Sequence, residues 1–162
     1  MKKRIMVLAA ALVLSLMAVP SALAANTTGT AYAATQNVEV DGKAVEFQMY
    51  GVLEANGYGT NYVKLRDVAH VLSGTLAQFE VGYDGGISIT TGTAYTNTGT
   101  EMTTPFSGDR AYTGGAQSLK INGKETSLDA IALMDDQGGG YTYFKLRDLG
   151  SALGFTVDWD SQ

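Results

Sequence analysis

The chain of 162 residues has no cysteine, one histidine and two prolines. Without thiols there is no disulfide, no nucleophilic cysteine and no Cys-rich zinc site. The single His70 excludes a multi-histidine copper or zinc centre within one chain. Long apolar runs are also missing. The longest, Ile5 to Val19, spans 15 residues, short of the roughly 20 that a membrane-crossing helix needs. Positive charge is scarce, with 11 Lys and Arg against 16 Asp and Glu.

That apolar run has a specific setting. Lys2, Lys3 and Arg4 precede it, and Pro20, Ser21 and Ala22-Leu23-Ala24 follow it. A basic start, a short apolar stretch and an A-x-A site make a secretory signal peptide over residues 1–24. With no cysteine after the run, a lipoprotein anchor is excluded. The expected location is therefore secreted or extracellular, with no membrane association after cleavage. The leader holds three of the 11 basic residues and none of the acidic ones, so residues 25–162 carry a net charge of −8. Such a surface repels phosphate backbones and anionic lipid heads. Nucleic acid is not an expected partner.

The mature part contains an internal repeat. Val38-Glu-Val-Asp-Gly-Lys43 matches Leu119-Lys-Ile-Asn-Gly-Lys124, and Tyr62-Val-Lys-Leu-Arg-Asp67 matches Tyr143-Phe-Lys-Leu-Arg-Asp148. Both pairs are offset by 81. Five extra residues then enter the first copy before Phe79-Glu-Val-Gly-Tyr-Asp84 aligns with Phe155-Thr-Val-Asp-Trp-Asp160.

Asp41-Gly42 and Asn122-Gly123 are two-residue hairpin turns, since both positions must take positive φ. Alternation puts Val63 and Leu65 on one strand face and Tyr62 and Lys64 on the other. Val68, Val71 and Leu72 then form a helical stripe, repeated by Leu149, Ala152 and Leu153. Gly74 and Gly154 stand where these helices should stop. Phe79 to Tyr83 and Ile87 to Thr90 read as strands around a turn at Asp84-Gly85-Gly86.

The expected fold class is α+β: two tandem small units, each an antiparallel sheet packed on one short helix. Repeat 1 covers residues 37–92 and repeat 2 covers 118–162. Residues 25–36 read as a flexible mature N-terminus. The Thr/Gly-rich stretch 93–117 reads as a linker. Units this small have marginal cores, so the two are expected to bury apolar surface against each other or in a larger assembly.

No side-chain set suggests catalysis. His70 lies opposite the apolar helical stripe, and Asp67 beside it is a surface neighbour rather than a triad partner. Asp135-Asp136 and the Asp158/Asp160 pair lack calcium-loop spacing and read as solvated turns. Gly138-Gly-Gly140 lacks the Lys-Ser/Thr of a phosphate loop. Neither a cofactor nor a metal is expected. Lys64, Leu65, Arg66 and Asp67, with Lys145, Leu146, Arg147 and Asp148, read as a structural motif. The aspartates complement the positive helix end, and the arginines tie the junction to a sheet-edge carbonyl or carboxylate. Tyr62, Tyr143 and Trp159 are the candidate ligand-binding rings. They either stack on a sugar or clamp a peptide, or they cover the second sheet face or the contact between copies, with their polar tips in water.

The blocks V-D-G-K, Y-V-K-L-R-D-V-A, F-E-V-G-Y-D and Y-F-K-L-R-D-L-G-x-A-L-G-F-x-V-D-W-D resemble the copper amine oxidase-like N-terminal domain. This is the stalk domain of secreted and cell-surface proteins, mostly from Gram-positive bacteria. The resemblance covers residues 37–90 and 118–160. It implies an appendage rather than an oxidase, because copper and quinone belong to a separate catalytic domain. The expected function is thus a secreted, non-enzymatic structural or adhesion module at the cell envelope, a spacer or protein-binding surface. The alternative is a wall-glycan-binding module using the aromatics. A cell-envelope protein or a wall glycan is the expected partner.

Repeat 2 stops at Asp160-Ser161-Gln162, without a counterpart of Ile87-Ser-Ile-Thr90. Three explanations stand for the missing closing strand. The linker folds back to supply it, a partner chain supplies it by strand exchange at the repeat 2 edge, or the reading frame is truncated.

Overall fold

The structure, a computed structural model, describes residues 26–158. The expected signal peptide, Trp159 and Asp160 lie outside the described residues.

The order is β1 (Thr27–Val40), β2 (Lys43–Leu53), β3 (Gly59–Lys64), α1 (Leu65–Leu72), β4 (Phe79–Tyr83) and β5 (Ile87–Thr91). Then come β6 (Arg110–Ile121), β7 (Lys124–Met134), β8 (Gly140–Lys145) and α2 (Leu146–Leu153). The hairpin turns form as their sequence requires. Asp41 and Gly42 have φ of 48° and 76°, and Asn122 and Gly123 have 51° and 81°. These turns fix the β1–β2 register at Val40 opposite Lys43 and the β6–β7 register at Ile121 opposite Lys124. The strand Phe79–Tyr83 falls where alternation placed it.

The strands make one mixed eight-stranded sheet in the order β1-β2-β3-β8-β7-β6-β5-β4, with a further pairing of β1 to β6. That pairing closes β1, β2, β3, β8, β7 and β6 into an antiparallel ring. Strand β5 joins the outside of β6 through the parallel pairing of Ile87–Ile89 with Leu119–Ile121, and β4 lies beyond it.

Both seams between the repeats are self-complementary. Val63 pairs with Phe144, its own counterpart 81 residues on, where β3 meets β8. Thr30 pairs with Ala111, again 81 residues on, where β1 meets β6. An approximate two-fold axis therefore passes through both seams, as in an isologous dimer made within one chain.

The expected pair of tandem α+β units is thus corrected. The chain is mostly β and shares one sheet between the repeats. The reason lies in the strand edges. A three-stranded meander alone leaves two rows of backbone groups unpaired, and its twin pairs with Thr27–Ala31 of one and Tyr62–Lys64 of the other. Residues 25–36, expected to be flexible, are strand from Thr27 on, because they form one seam and part of the β1–β2 ladder. Residues 93–117 are also more than a linker. Their last part, from Arg110, is the first half of β6. Their first part packs on repeat 1 through buried Tyr95, and buried Phe106 lies between Tyr50 of repeat 1 and Tyr141 and Tyr143 of repeat 2.

The sheet buries a different cluster on each face. One gathers Phe47, Met49, Val63, Leu119 and Phe144 with α1, α2, β4 and β5. The other gathers Tyr50, Val52, Tyr62, Ile131, Leu133 and Tyr143 with Phe106 and has no helix over it. Tyr50 and Tyr143 meet edge to face there, their ring centroids 5.3 Å apart.

Candidate functional site

The repeated Lys-Leu-Arg-Asp motif lies at the two strand-to-helix junctions. In each copy the lysine ends a strand and the next three residues open the helix, so the aspartate falls in the first helical turn. The two junctions are not equally covered.

In repeat 1 the segment after β5 folds across the motif. Lys64 Nζ donates to the Thr103 carbonyl at 2.7 Å and lies 3.2 Å from Asp67 Oδ1. Arg66 Nη1 donates to the Tyr95 hydroxyl at 3.2 Å and reaches the Val81 carbonyl at 3.4 Å. Asp67 is only 2 % exposed and accepts the Met102 N–H at 2.9 Å. Burial pushes its carboxyl up, and the Met102 N–H and the Lys64 ammonium offset part of that rise.

The covering segment is itself organised by Glu101. Its Oε1 accepts from the Tyr95 hydroxyl at 2.6 Å and from the Thr98 N–H at 2.8 Å. The Gly99 N–H reaches Oε2 at 2.9 Å. Desolvation alone would raise this carboxyl, but the Thr98 and Tyr95 hydrogen bonds outweigh it and hold it well below the usual range.

In repeat 2 nothing comparable covers the motif among the described residues. Arg147 is exposed and Asp148 half-buried, and neither side chain has a hydrogen bond there. Lys145 pairs instead with Glu54 at 3.4 Å, in the β2–β3 turn of the other repeat.

The candidate rings divide differently. Tyr143 is fully buried and Tyr62 only 9 % exposed, so neither can stack on a sugar. Desolvation pushes the Tyr62 hydroxyl up to about 12, with the Asp129 and Glu54 carboxylates adding to it. Both rings line the second sheet face. Trp159 lies outside the described residues. Among the described residues the exposed rings are Tyr58, Tyr83 and Tyr32.

His70 is exposed and its Nδ1 lies 2.7 Å from Asn97 Oδ1. Asp135 folds its own turn, accepting from Gln137 and Gly139 N–H groups, while Asp136 pairs with Arg110 at 2.8 Å. Among the described residues no three Asp, Glu or His side chains gather as a metal site would require. No helix among them is long and apolar enough to cross a membrane.

Sequence reasoning missed the site's asymmetry. Its signal was present in the unequal lengths after the helices. Six residues lie between Leu72 and Phe79, but only one between Leu153 and Phe155. The short connection brings Phe155 down onto α2, where a Cβ on Gly150 would stand 2.6 Å from the Phe155 carbonyl oxygen. Compared with protein-family models, curated proteins and solved structures, the chain matches none.

Proposed function

We propose that the chain is an exported, non-enzymatic structural or adhesion module that acts at the bacterial cell envelope as a protein-binding surface. Its resemblance to the copper amine oxidase-like N-terminal domain belongs to the same proposal and rests on the repeated sequence blocks. The observation that carries the reading is the uncovered junction of repeat 2. The same motif in repeat 1 holds polypeptide through Lys64, Arg66 and Asp67, and Arg147 and Asp148 offer equivalent groups with no occupant among the described residues. The ring sewn at two seams makes a rigid mount for such a surface.

Cross-linking on intact producing cells, with a tag on the mature chain, tests this. The expected result is a protein adduct in the envelope or external fraction. Retention by purified wall glycan alone, without a protein adduct, would favour the glycan alternative. Confinement to the cytoplasm would overturn both.

A further inference from the structure

Among the described residues, β4 ends the sheet and pairs with β5 alone. The hydrogen bonds of β5 fix which way the groups of β4 point. The Ile89 carbonyl accepts the Asn122 N–H at 2.9 Å, so Ile89 turns its polar groups toward β6. Val81 stands opposite Ile89. It is therefore a non-hydrogen-bonded position of the β4–β5 ladder, and the Val81 N–H and C=O point away from β5. Phe79 and Tyr83, two residues to either side, point theirs the same way.

At Val81 two charged side chains stand where a further strand would. Glu80 Oε1 accepts the Val81 N–H at 2.8 Å, and Arg66 Nη1 reaches the Val81 carbonyl at 3.4 Å. Each also holds the segment that follows β5. Glu80 Oε2 accepts the Thr96 N–H at 2.9 Å, and Arg66 Nη1 donates to the Tyr95 hydroxyl at 3.2 Å. One carboxylate and one guanidinium thus fasten the segment to the edge of β4. The cover does not extend to Tyr83, which is 81 % exposed.

The strand beneath suits pairing with its own kind. A second Phe79–Tyr83, turned antiparallel about Val81, sets Val81 against Val81 and Phe79 against Tyr83. Glu80 then falls opposite Gly82, so the two carboxylates do not face each other. Aromatic and β-branched cross-strand pairs of this sort stabilise a sheet, and the strand contains no proline to prevent it. Such an edge, left uncapped, invites association.

We infer that Glu80 and Arg66 fasten the segment around Tyr95 and Thr96 as a strap over the β4 edge, and that this edge is a pairing site for the β4 edge of a second copy. With the strap in place the edge is closed and the chain stays apart from its copies. The inference stands independently of the protein-binding reading above, which concerns repeat 2.

Sedimentation velocity over a concentration series of residues 25–162 is the test. The unaltered chain should remain monomeric. Glu80→Ala should give a concentration-dependent dimer, and Glu80→Ala with Arg66→Ala a dimer about tenfold tighter. Glu80→Gln keeps one carbonyl oxygen and should fall between the unaltered chain and Glu80→Ala. Tyr83→Pro removes an outward N–H on an exposed residue and spares the ladder to β5, so it should return the double variant to monomer. Amide hydrogen exchange at Val81 supplies an independent readout. It should be faster in dilute Glu80→Ala than in the unaltered chain, and should slow as the dimer forms.

A Glu80→Ala chain that keeps its native circular dichroism and stays monomeric at every concentration overturns the inference. That single variant decides if the double variant loses its fold. A dimer that survives Tyr83→Pro, or that forms without slowing exchange at Val81, lies on another surface and overturns it too. So does an unaltered chain that dimerises as tightly as the variants, since the strap would then guard nothing.

Discussion

Repeat 1 and repeat 2 build the same elements over matching residues from β1 through the helix, and then diverge. Repeat 1 continues into β4, β5 and the segment that closes over Asp67. Repeat 2 runs from α2 into Phe155 and Val157, which lie against Gly150 without forming a strand. The Lys-Leu-Arg-Asp motif is the same in both. Its environment is buried and hydrogen-bonded in one and open in the other. A motif's role here is therefore set by the chain that follows it. The structural reading suits the first copy, while the second presents the same groups to solvent.

The largest test of this comparison separates the repeats. Residues 25–92 expressed alone lose both seams and leave the edges of β1 and β3 unpaired. The expected outcome is no cooperative thermal transition by circular dichroism. A cooperative melt would restore independent units and break the argument from the shared ring. Next in size is a matched core truncation. Phe79 is fully buried, and Phe79→Ala should cost about 3–5 kcal/mol in urea unfolding. Its counterpart Phe155 is half-exposed, so Phe155→Ala should cost roughly half of that or less. Equal costs would mean that repeat 2 is as well covered as repeat 1.

Much of this local structure is legible in the sequence, and the seams are not. Asp41-Gly42 and Asn122-Gly123 announce their hairpins because few residues accept positive φ. The Val68 and Leu149 stripes announce the helices because the 3.6-residue period is local. The β1–β6 seam joins Thr27–Ala31 to residues 110–114, two stretches of Thr, Gly, Ala, Tyr and Arg without apolar alternation. Backbone hydrogen bonds hold it, and they leave little trace in composition. The burial of Tyr62 and Tyr143 follows from ring closure. Alternation gives the face each ring occupies, but what covers that face depends on strands distant in sequence.

The buried aspartate offers a finer comparison. Asp67→Ala strands the Met102 N–H and the Lys64 ammonium, and should cost about 1–3 kcal/mol. Asp148→Ala should stay within about 0.5 kcal/mol. Asp67→Asn keeps an acceptor for Met102 and sheds the desolvated charge, so it should fall between them. Denaturation midpoints as a function of pH sharpen this further. Glu101 titrates below its ordinary value of 4.5 in the folded chain. Its stabilisation is therefore present above that value and lost as the pH falls through the folded one. Asp67 works in the opposite direction. Its folded value is raised, so the stability lost on ionising it is regained as the pH falls through that value. Glu101→Gln should flatten the acid loss, because Glu101 organises the segment that closes over the repeat 1 motif.

The smallest expected effect concerns the two equivalent hairpin turns. Asp41 and Asn122 hold the same place in equivalent turns, with positive φ in both. Glycine accepts that geometry at either position, so backbone strain cancels from the comparison. What remains is the strand beside each turn. The Asn122 side chain accepts the Thr91 N–H at 3.0 Å and donates to Thr91 Oγ1 at 2.9 Å. Its backbone N–H also donates to the Ile89 carbonyl at 2.9 Å, a bond that substitution leaves in place. Asn122→Gly should therefore cost about 0.5–1.5 kcal/mol through the lost side-chain bonds. Asp41 has no neighbouring strand to hold among the described residues, and Asp41→Gly should lie within about 0.5 kcal/mol of zero. Chemical denaturation of both variants measures the difference. An equal loss at Asp41 would show that its turn also holds a neighbouring segment, and the two turns would then be equivalent.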